Sequence, residues 1–399
     1  MIIHPLEIVP YTEGDKNGVS ARAFIEWRGG RHNLEFSVED QFSSGIKVDR
    51  LDAFVVAAVL RAMHEGEDIE VRGSMSARLL YNLVNHWIPI TSGVLPGTKR
   101  ISIEADRLIT KAEKRPKGTA TGYSAGIDSF AVIHDHLFST QPEGFKITHF
   151  LFNNVGSHAG DTRNQALFQQ RLEKIKAFSE RVGVPIIEVN STFGHLVPFD
   201  FMKSHPARNA SVPLLLQGLI GRWYYASAYR YTDCHTGPCI EAVSTEDPST
   251  IHLFSTETLD CISTGSQYSR VEKTRLVATH PETYSTLNVC AGGKRAILAE
   301  GRNCSVCSKC CRTLFTLELM DSLDLYTGVF NMEAYRQARF GYLFDLLLIP
   351  NEPLNHEILE LARERNFRFP RILVFAATLA RPFGDQIVEF RRRRGIAKL

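Results

Sequence analysis

The sequence predicts an α/β fold in which helices cover both sides of a doubly wound parallel sheet. Two observations in residues 118–189 support this prediction. Three short apolar stretches have the length of buried strands, and the two segments between them repeat apolar residues at helical spacing. Strand, helix, strand, helix, strand at these lengths is typical of a parallel sheet with covering helices. An α+β region precedes this unit, and a mainly helical region follows it.

The elements of this unit follow one another closely. The short elements are predicted strands at 118–123, 147–152 and 184–189 and a predicted helix at 127–138. A longer helix lies between the second and third strands. Asp161 is predicted to cap its start, and Gly183 lies where a C-terminal cap belongs.

Residues 1–117 are predicted to form a separate α+β region. Alternating stretches at 20–27 and 33–38 flank two glycines and predict a β-hairpin. The other elements predicted from apolar spacing are helices at 51–64 and 76–87 and a strand at 101–104. No catalytic constellation is visible in this region, so scaffold, substrate lid and partner surface all remain open as its role.

Residues 118–320 are the predicted catalytic domain, and residues 321–399 form a predicted helical C-terminal region. The pattern over residues 200–290 is mixed and includes a predicted helix from Val212 to Tyr229. After Cys311 the predicted elements are helices at 315–325, 332–348, 356–366 and 372–390. The chain ends in a short basic tail, a kind of segment that is usually solvated and sometimes contacts RNA or phosphate.

The composition argues against several classes of protein. The chain has 399 residues, and its 46 Lys and Arg nearly balance its 44 Asp and Glu. The net charge of +2 gives no general reason to expect a nucleic acid or an anionic membrane as partner. No apolar run reaches the roughly 18 residues of a membrane span. Because Met1 to Glu7 lacks the features of a signal peptide, we expect a cytoplasmic protein.

A loop of small residues joins the first predicted strand of residues 118–189 to its helix. Residues 124–129 read Ser-Ala-Gly-Ile-Asp-Ser. Such a turn lets backbone N–H groups approach an anion, and the start of the helix adds unpaired donors and the positive end of its dipole. Ser124 and Ser129 add hydroxyl donors, and Asp128 either caps the helix or assists a bound Mg²⁺. The residue order differs from a Walker A loop and from a dinucleotide fingerprint.

The loop resembles the Ser-Gly-Gly-x-Asp-Ser loop of the PP-loop ATP pyrophosphatases, with Ala125 in place of the first glycine. The resemblance implies the Rossmann-like fold of the adenine nucleotide α-hydrolases, with ATP and Mg²⁺ as cofactors. In that family the loop binds the β- and γ-phosphates while the α-phosphate is attacked. The residues it implies for ATP binding are Ser124, Ala125, Gly126, Ile127, Asp128 and Ser129. Asp128 and Ser129 are also expected to take part in catalysis.

Polar residues elsewhere are candidates for the same site. Asn153, Gly156 and His158 follow the second predicted strand, at the edge where open parallel sheets bind ligands. The family resemblance implies that this loop borders the adenosine. The candidates for the substrate side are His205, Arg208 and Asn209, in a predicted polar loop before a helix.

Arg270 and Lys273 lie in a polar, glycine-containing segment that precedes an apolar helical run. One reading makes them catalytic, because positive charge stabilises a leaving pyrophosphate. The other reading is a capped helix with a surface set of charged residues.

Five of the eight cysteines fall within residues 290–311, and residues 1–233 contain none. The group with the spacing of a tetrahedral metal site comprises Cys290, Cys304, Cys307 and Cys310. The sequence therefore predicts a structural Zn²⁺ there, with an iron–sulfur cluster as the alternative for the same ligands. We expect Cys311 to be a buried thiol, because consecutive side chains rarely point at one metal.

The small-residue loop, followed by this cysteine cluster and Arg312, resembles the 7-cyano-7-deazaguanine synthase (QueC) family over roughly residues 118–320. The resemblance implies an enzyme that uses ATP to adenylate a substrate carboxylate, releases AMP and pyrophosphate, and forms an amide or nitrile. The unexplained chain ends favour a QueC-like paralogue. Such paralogues occur in biosynthetic and anti-phage defence operons, and some act on proteins.

The predicted partners are ATP, a small-molecule or protein carboxylate and operon partner proteins; nucleic acid is disfavoured, and no membrane is expected. Two alternative functions remain open. A PP-loop sulfur transferase acting on tRNA would use Cys234, Cys239 or Cys261 as sulfur carrier. A catalytically silent, nucleotide-binding regulatory subunit would account for the long chain ends.

Overall fold

The structure is a computed structural model. It describes residues 1–13, 16–111, 114–156, 162–237, 243–290, 303–384, 386–387 and 390. The predicted helix cap at Asp161, the predicted ligand contact His158 and the basic tail lie outside the described residues.

The fold is α/β, with a large, mostly parallel central sheet of eleven strands among the described residues. In chain order the strands are β1 (Ile2–Ile3), β2 (Glu7–Glu13), β3 (Lys16–Trp27), β4 (Gly30–Glu39), β5 (Ile69–Ser76), β6 (Ile103–Ile109), β7 (Gly118–Gly122), β8 (His149–Asn154), β9 (Ile186–Ser191), β10 (Ile220–Ala226) and β11 (Asp260–Thr264). Across the sheet their order is β11-β10-β7-β8-β9-β4-β3-β1-β5-β6, and β2 pairs with β3.

The five strands from β7 to β11 form a parallel unit. The chain runs from β7 to its neighbour β8 and then to β9, before it returns to β10 on the other side of β7. The order of strands therefore reverses between β7 and β10. Open α/β sheets bind ligands outside the carboxyl ends of the strands at such a reversal, because the two connecting loops diverge there and leave a crevice.

The predicted N-terminal hairpin is confirmed as β3 and β4, and it extends the same sheet. β4 lies antiparallel to β9, with Phe36 opposite Ser191 and Ser37 opposite Asn190. The sheet thus continues across residue 117. The N-terminal strands supply one side of a common framework for the parallel unit.

The helices pack on both faces of this sheet. In chain order they are α1 (Asp52–Glu65), α2 (Ala77–Asn82), α3 (Ile88–Val94), α4 (Ile127–Ile133), α5 (Thr162–Val182), α6 (Phe201–Leu215), α7 (Asp247–Thr250), α8 (Arg270–Ala278), α9 (Thr283–Thr286), α10 (Ser308–Leu319), α11 (Met332–Leu348), α12 (Pro353–Glu364) and α13 (Arg371–Ala380). A π-helical turn (Leu83–Trp87) joins α2 to α3, and another (His134–Phe138) extends α4. No helix among the described residues has the length and apolar character to cross a membrane.

Two hydrophobic cores lie on opposite faces of the sheet. Leu151 and Trp223 belong to the core that contains α1 and α6, whereas Phe150 and Tyr224 belong to the core that contains α4 and α5. This division follows from the strand itself, because successive side chains point to opposite faces. The second core continues across residue 320 and includes Leu343, so α11 packs in the same core as α4.

The predicted helix from Val212 to Tyr229 is wrong. The helix α6 begins at Phe201 and ends at Leu215, and the strand β10 follows it. Residues 223–225 read Trp-Tyr-Tyr and form part of a strand between two others, where a continuous apolar run has no period that separates strand from helix. The two prolines inside α6 also obscured its helical pattern.

Candidate functional site

A cavity of about 400 Å³ opens at the carboxyl edge of the parallel strands. Its wall contains residues 126–129 of the loop after β7, Asn153 at the end of β8, and Tyr225 and Ala226 at the end of β10. The small-residue loop singled out in the sequence therefore faces this cavity, at the reversal of strand order. We call residues 124–129 the small-residue loop.

The small-residue loop has the geometry of an anion cradle. Ala125 is buried and takes a left-handed backbone conformation, with φ of 55°. The helix α4 begins immediately behind it, and Phe130 N–H donates the first helical hydrogen bond to the carbonyl oxygen of Gly126 at 3.0 Å. The N–H groups of the first turn consequently have no acceptor within the helix and remain available to an anion.

Asp128 projects from the first turn of α4 between two cations. Its Oδ2 lies 2.9 Å from Arg270 Nη2, and its Oδ1 lies 3.2 Å from Lys273 Nζ. Enclosure by the protein opposes ionisation, but the two cations prevail and hold the pKa of Asp128 below its usual value. The carboxylate is therefore ionised at neutral pH, and it pairs with these cations rather than capping the helix.

Arg270 and Lys273 come from the first turn of α8. Ser269 and Glu272 form a capping box at the start of this helix, as the capped-helix reading expected. The surface part of that reading is wrong, because Lys273 is fully buried and also donates to the carbonyl oxygen of Ser227 at 2.6 Å. The cap thus orients two inward-facing cations towards the small-residue loop.

Two further cations enter the cavity from α10. Lys309 and Arg312 line the wall and lie one helical turn apart. The sequence singled out Arg312 only as part of a motif, and Lys309 was missed, although its position two residues after Cys307 was a usable signal. With Arg270 they bring three cationic side chains to the cavity wall, whereas Lys273 is buried against Asp128.

The four cysteines singled out by spacing lie together. The Sγ atoms of Cys290, Cys304, Cys307 and Cys310 all lie within 4.8 Å of one another, and the distance from Cys304 to Cys310 is 3.9 Å. Four sulfurs bound to Zn²⁺ at about 2.3 Å would lie about 3.8 Å apart at the corners of a tetrahedron. The cluster therefore fits a tetrahedral metal ion such as Zn²⁺, and the all-thiolate donor set favours Zn²⁺ or an iron–sulfur centre.

Cys311 lies outside this cluster, as expected from its position next to Cys310. Its Sγ donates to the carbonyl oxygen of Ser305 at 3.7 Å, and burial raises its pKa to about 12. Its sulfur is not among the four that lie within 4.8 Å of one another.

The cysteine cluster adjoins the cavity. Cys290 lines the cavity wall, and its carbonyl oxygen accepts a hydrogen bond from Arg171 Nη2 at 2.7 Å. Cys307 immediately precedes α10, so the cluster fixes the start of the helix that carries Lys309 and Arg312. A metal there would stabilise this wall without facing a substrate.

The residues predicted on the substrate side divide into two groups. His205 and Asn209 line the cavity from α6, and Asn153 Nδ2 donates to Asn209 Oδ1 at 3.3 Å. Arg208 does not line it, because its guanidinium donates to the backbone carbonyls of Val155 and Phe199. The expectation of a polar loop is also wrong, since these three residues lie within a helix.

Gly156, a predicted ligand contact, lies against Arg208 rather than at the cavity wall. Its φ is 100°, and a Cβ there would come within 2.5 Å of Arg208 Nη1. The positive φ and this close approach both favour glycine here. The residue shapes the loop after β8 instead of lining the site.

The cavity wall also contains a carboxyl group that sequence reasoning missed. Asp247, at the start of α7, is 1% exposed and lines the cavity. Beside it, His205 Nδ1 hydrogen-bonds Tyr225 OH, and His205 Nε2 lies 3.2 Å from Ser244 Oγ. Burial lowers the pKa of His205 to about 3, so this histidine is neutral. Nothing local in the sequence marks Asp247, which reaches the site only through the packing of α7.

No protein-family model matches the chain, and comparison with curated proteins and with solved structures yields no match either.

Proposed function

We propose that this protein is an AMP-forming enzyme that uses ATP to adenylate a substrate carboxylate, in the manner of the PP-loop ATP pyrophosphatases. The observation that carries the proposal is that three cationic side chains, Arg270, Lys309 and Arg312, line the same cavity as the small-residue loop. Unpaired N–H groups and fixed positive charge in one crevice suit a polyphosphate.

The chemistry needs no nucleophile from the protein. ATP lies with its β- and γ-phosphates on the small-residue loop, and the substrate carboxylate attacks the α-phosphorus. The bond from the α-phosphorus to the bridging oxygen breaks, and pyrophosphate leaves. Positive charge from α8 and α10 stabilises that leaving group, so catalysis consists of positioning and charge neutralisation. Mg²⁺ is the expected companion of ATP, and Asp128 is the carboxylate beside the loop that would hold it.

The cysteine cluster supports the site as a structural element in this proposal. A metal with four protein ligands has no open position for water or substrate, so its role is structural. Its contribution is to hold Cys290 and the start of α10 in place, and with them two of the cavity walls.

The sulfur-transfer alternative is less well supported by the chain's thiols. A sulfur carrier needs an accessible cysteine with a lowered pKa. Burial raises the pKa of Cys234 and of Cys261, and Cys261 is 1% exposed within β11. Cys239 lies outside the described residues. We therefore favour carboxylate activation.

The test is ATP–pyrophosphate exchange against a panel of carboxylates, including 7-carboxy-7-deazaguanine and the C-terminal peptides of operon partner proteins. We expect exchange with one member of the panel, and a loss of at least about 100-fold in Asp128→Ala and Ser129→Ala. Matched controls are Asp233→Ala and Ser92→Ala, whose side chains do not line the cavity. ATP binding without exchange by any carboxylate would support the silent regulatory subunit instead.

A further inference from the structure

Asp247 presents an unsatisfied carboxyl group to the cavity. The residue is 1% exposed and lines the same cavity as the small-residue loop. Its Oδ1 has no hydrogen-bond partner within the part of the chain that the structure describes. A buried acceptor without a donor destabilises the fold by about 1–3 kcal/mol, so a site that keeps one indicates a ligand that supplies the donor.

The polar neighbours of Asp247 do not supply that donor. Tyr225 OH is engaged by His205, and the other ring nitrogen of His205 is engaged by Ser244. The titratable and charged groups that act on Asp247 are Glu246, Asp128 and Lys273. Lys273 is already bound to Asp128 and to the Ser227 carbonyl oxygen. The open acceptor therefore faces the cavity itself.

The chemistry of this wall selects a small cationic amine. The carboxylate of Asp247 repels anions, so the phosphate groups belong beside Arg270, Lys309 and Arg312, which line the same cavity. A divalent cation prefers several oxygen ligands, and a single open carboxyl group does not provide them. An ammonium ion, by contrast, offers N–H donors and one positive charge to a buried carboxylate.

We propose that Asp247 binds the ammonium ion or primary amine that attacks the adenylated carboxylate, and that it accepts a proton from it. This inference rests on the proposed function. Ammonium transfers one proton to the Asp247 carboxylate and becomes ammonia, whose lone pair forms the C–N bond. The C–O bond to AMP breaks, AMP leaves with that electron pair, and a second proton passes to water. The products are the amide, AMP and protonated Asp247.

The burial of Asp247 also suits it to this proton transfer. Burial first, and then the neighbouring carboxylates, raise the pKa of Asp247 well above its ordinary value. A more basic carboxylate is a better acceptor for an amine proton, because the two proton affinities come closer together. The free amine then forms beside the reacting carbonyl rather than in bulk water.

The first experiment tests the amine subsite without any reaction. Thermal unfolding is followed in 100 mM NH₄Cl and in 100 mM tetramethylammonium chloride, which has no N–H donor. We expect NH₄Cl to raise the midpoint of the wild type by about 1–3 °C relative to tetramethylammonium. Asp247→Asn should abolish that difference. The matched control is Asp233→Asn, the same substitution at a carboxyl group outside the cavity wall, which should keep the difference.

The second experiment tests the role in the reaction, with a carboxylate that supports pyrophosphate exchange. Amide formation from NH₄Cl is compared with hydroxamate formation from hydroxylamine, which is already uncharged near pH 7. We expect Asp247→Asn to lower the ratio of the ammonium rate to the hydroxylamine rate by about 100-fold. Asp233→Asn, outside the cavity wall, should leave the ratio unchanged.

The outcomes separate this inference from the proposed function. If no carboxylate supports exchange in the wild type, the proposed function fails, and the thermal measurement still decides whether Asp247 binds an amine. An ammonium-specific thermal shift that persists in Asp247→Asn overturns the subsite. If Asp247→Asn lowers the rates of amide and hydroxamate formation by the same factor, the role of Asp247 in proton transfer is overturned.

Discussion

The backbone N–H of Asn288 donates a hydrogen bond to the carbonyl oxygen of Ala125 across 2.7 Å. Ala125 is the residue of the small-residue loop that takes the left-handed conformation, and Asn288 lies two residues before Cys290. The segment that precedes Cys290 therefore holds the small-residue loop in place through this hydrogen bond. On the far side of the cluster, α10 carries two cations of the cavity wall. The cluster thus positions the proposed phosphate site from both directions.

Loss of one cysteine of the cluster should therefore weaken both stability and nucleotide binding. Cys307→Ser removes one of four ligands, and metal affinity at a closed site is folding free energy. We expect the metal content to fall from one per chain to near zero and the free energy of unfolding to drop by at least about 3 kcal/mol. Metal analysis, denaturant unfolding and ATP titration measure the three quantities.

Cys311→Ser is the matched control for this variant, because Cys311 is buried in the first turn of α10, immediately after Cys310, but lies outside the cluster. It should keep one metal per chain. A folded Cys307→Ser protein that contains no metal and binds ATP like the wild type would refute the structural role of the cluster.

The left-handed conformation of Ala125 makes a second prediction. An alanine at positive φ is strained by about 1–2 kcal/mol, whereas glycine is not, although glycine gains entropy when unfolded. We expect Ala125→Gly to raise the free energy of unfolding by about 0.5–1 kcal/mol. Urea denaturation measures it. Ala120→Gly, at a buried and extended position in β7, should instead lower that free energy. A loss of stability in Ala125→Gly would show that the loop is not strained at this residue.

The parts of the site that the sequence could predict are those written in local patterns. The small-residue loop lies between a predicted strand and a predicted helix, and the four cysteines have the spacing of metal ligands. Both features could therefore be identified from the sequence alone.

The parts that it could not predict depend on tertiary packing. Asp247 and Lys309 reach the cavity only because α7 and α10 pack at the end of the sheet. Arg208 looked like a substrate contact because a lone arginine in a polar stretch is ambiguous. Its partners are backbone carbonyls brought close by folding. The strand β10 was mistaken for a helix because a fully buried strand lacks alternation.

The contact between Gly156 and Arg208 makes a third prediction. In Gly156→Ala the new methyl group would lie 2.5 Å from Arg208 Nη1, at a φ of 100°. We expect the free energy of unfolding to fall by about 2–4 kcal/mol, because the buried guanidinium must move from its carbonyl acceptors.

Gly183→Ala is the control for that variant, since it shares a positive φ of 66° but has no atom within 4 Å of the added Cβ. It should lower the free energy of unfolding by only about 1 kcal/mol. Equal losses in the two variants, measured by denaturant unfolding, would show that Arg208 accommodates the methyl group.

The buried carboxyl group of Glu246 predicts how stability depends on pH. Burial raises its pKa from 4.5 to about 7. The folded state therefore binds a proton that the unfolded state has released between these pH values. Glu246 should make the wild type less stable as the pH rises from 4.5 to 7. In Glu246→Gln the decline in the free energy of unfolding between pH 4.5 and 7 should be smaller by about 1–3 kcal/mol. Above pH 7 the free energies of unfolding of the variant and the wild type should change with pH in parallel.

Asp128 is the control for this prediction, because its effect on the pH dependence of stability should be opposite to that of Glu246. Its folded pKa lies below 3.8 because Arg270 and Lys273 outweigh its enclosure, so its contribution is present above pH 3.8 and is lost as the pH falls through the lowered value. Asp128→Asn should therefore be less stable than the wild type at neutral pH, and the gap should close in acid. Urea unfolding from pH 3 to 8 measures both variants. If Glu246→Gln and Asp128→Asn changed the pH dependence of stability in the same direction, the environment assigned to one of the two carboxyl groups would be wrong, since burial raises a carboxyl pKa and pairing with cations lowers it.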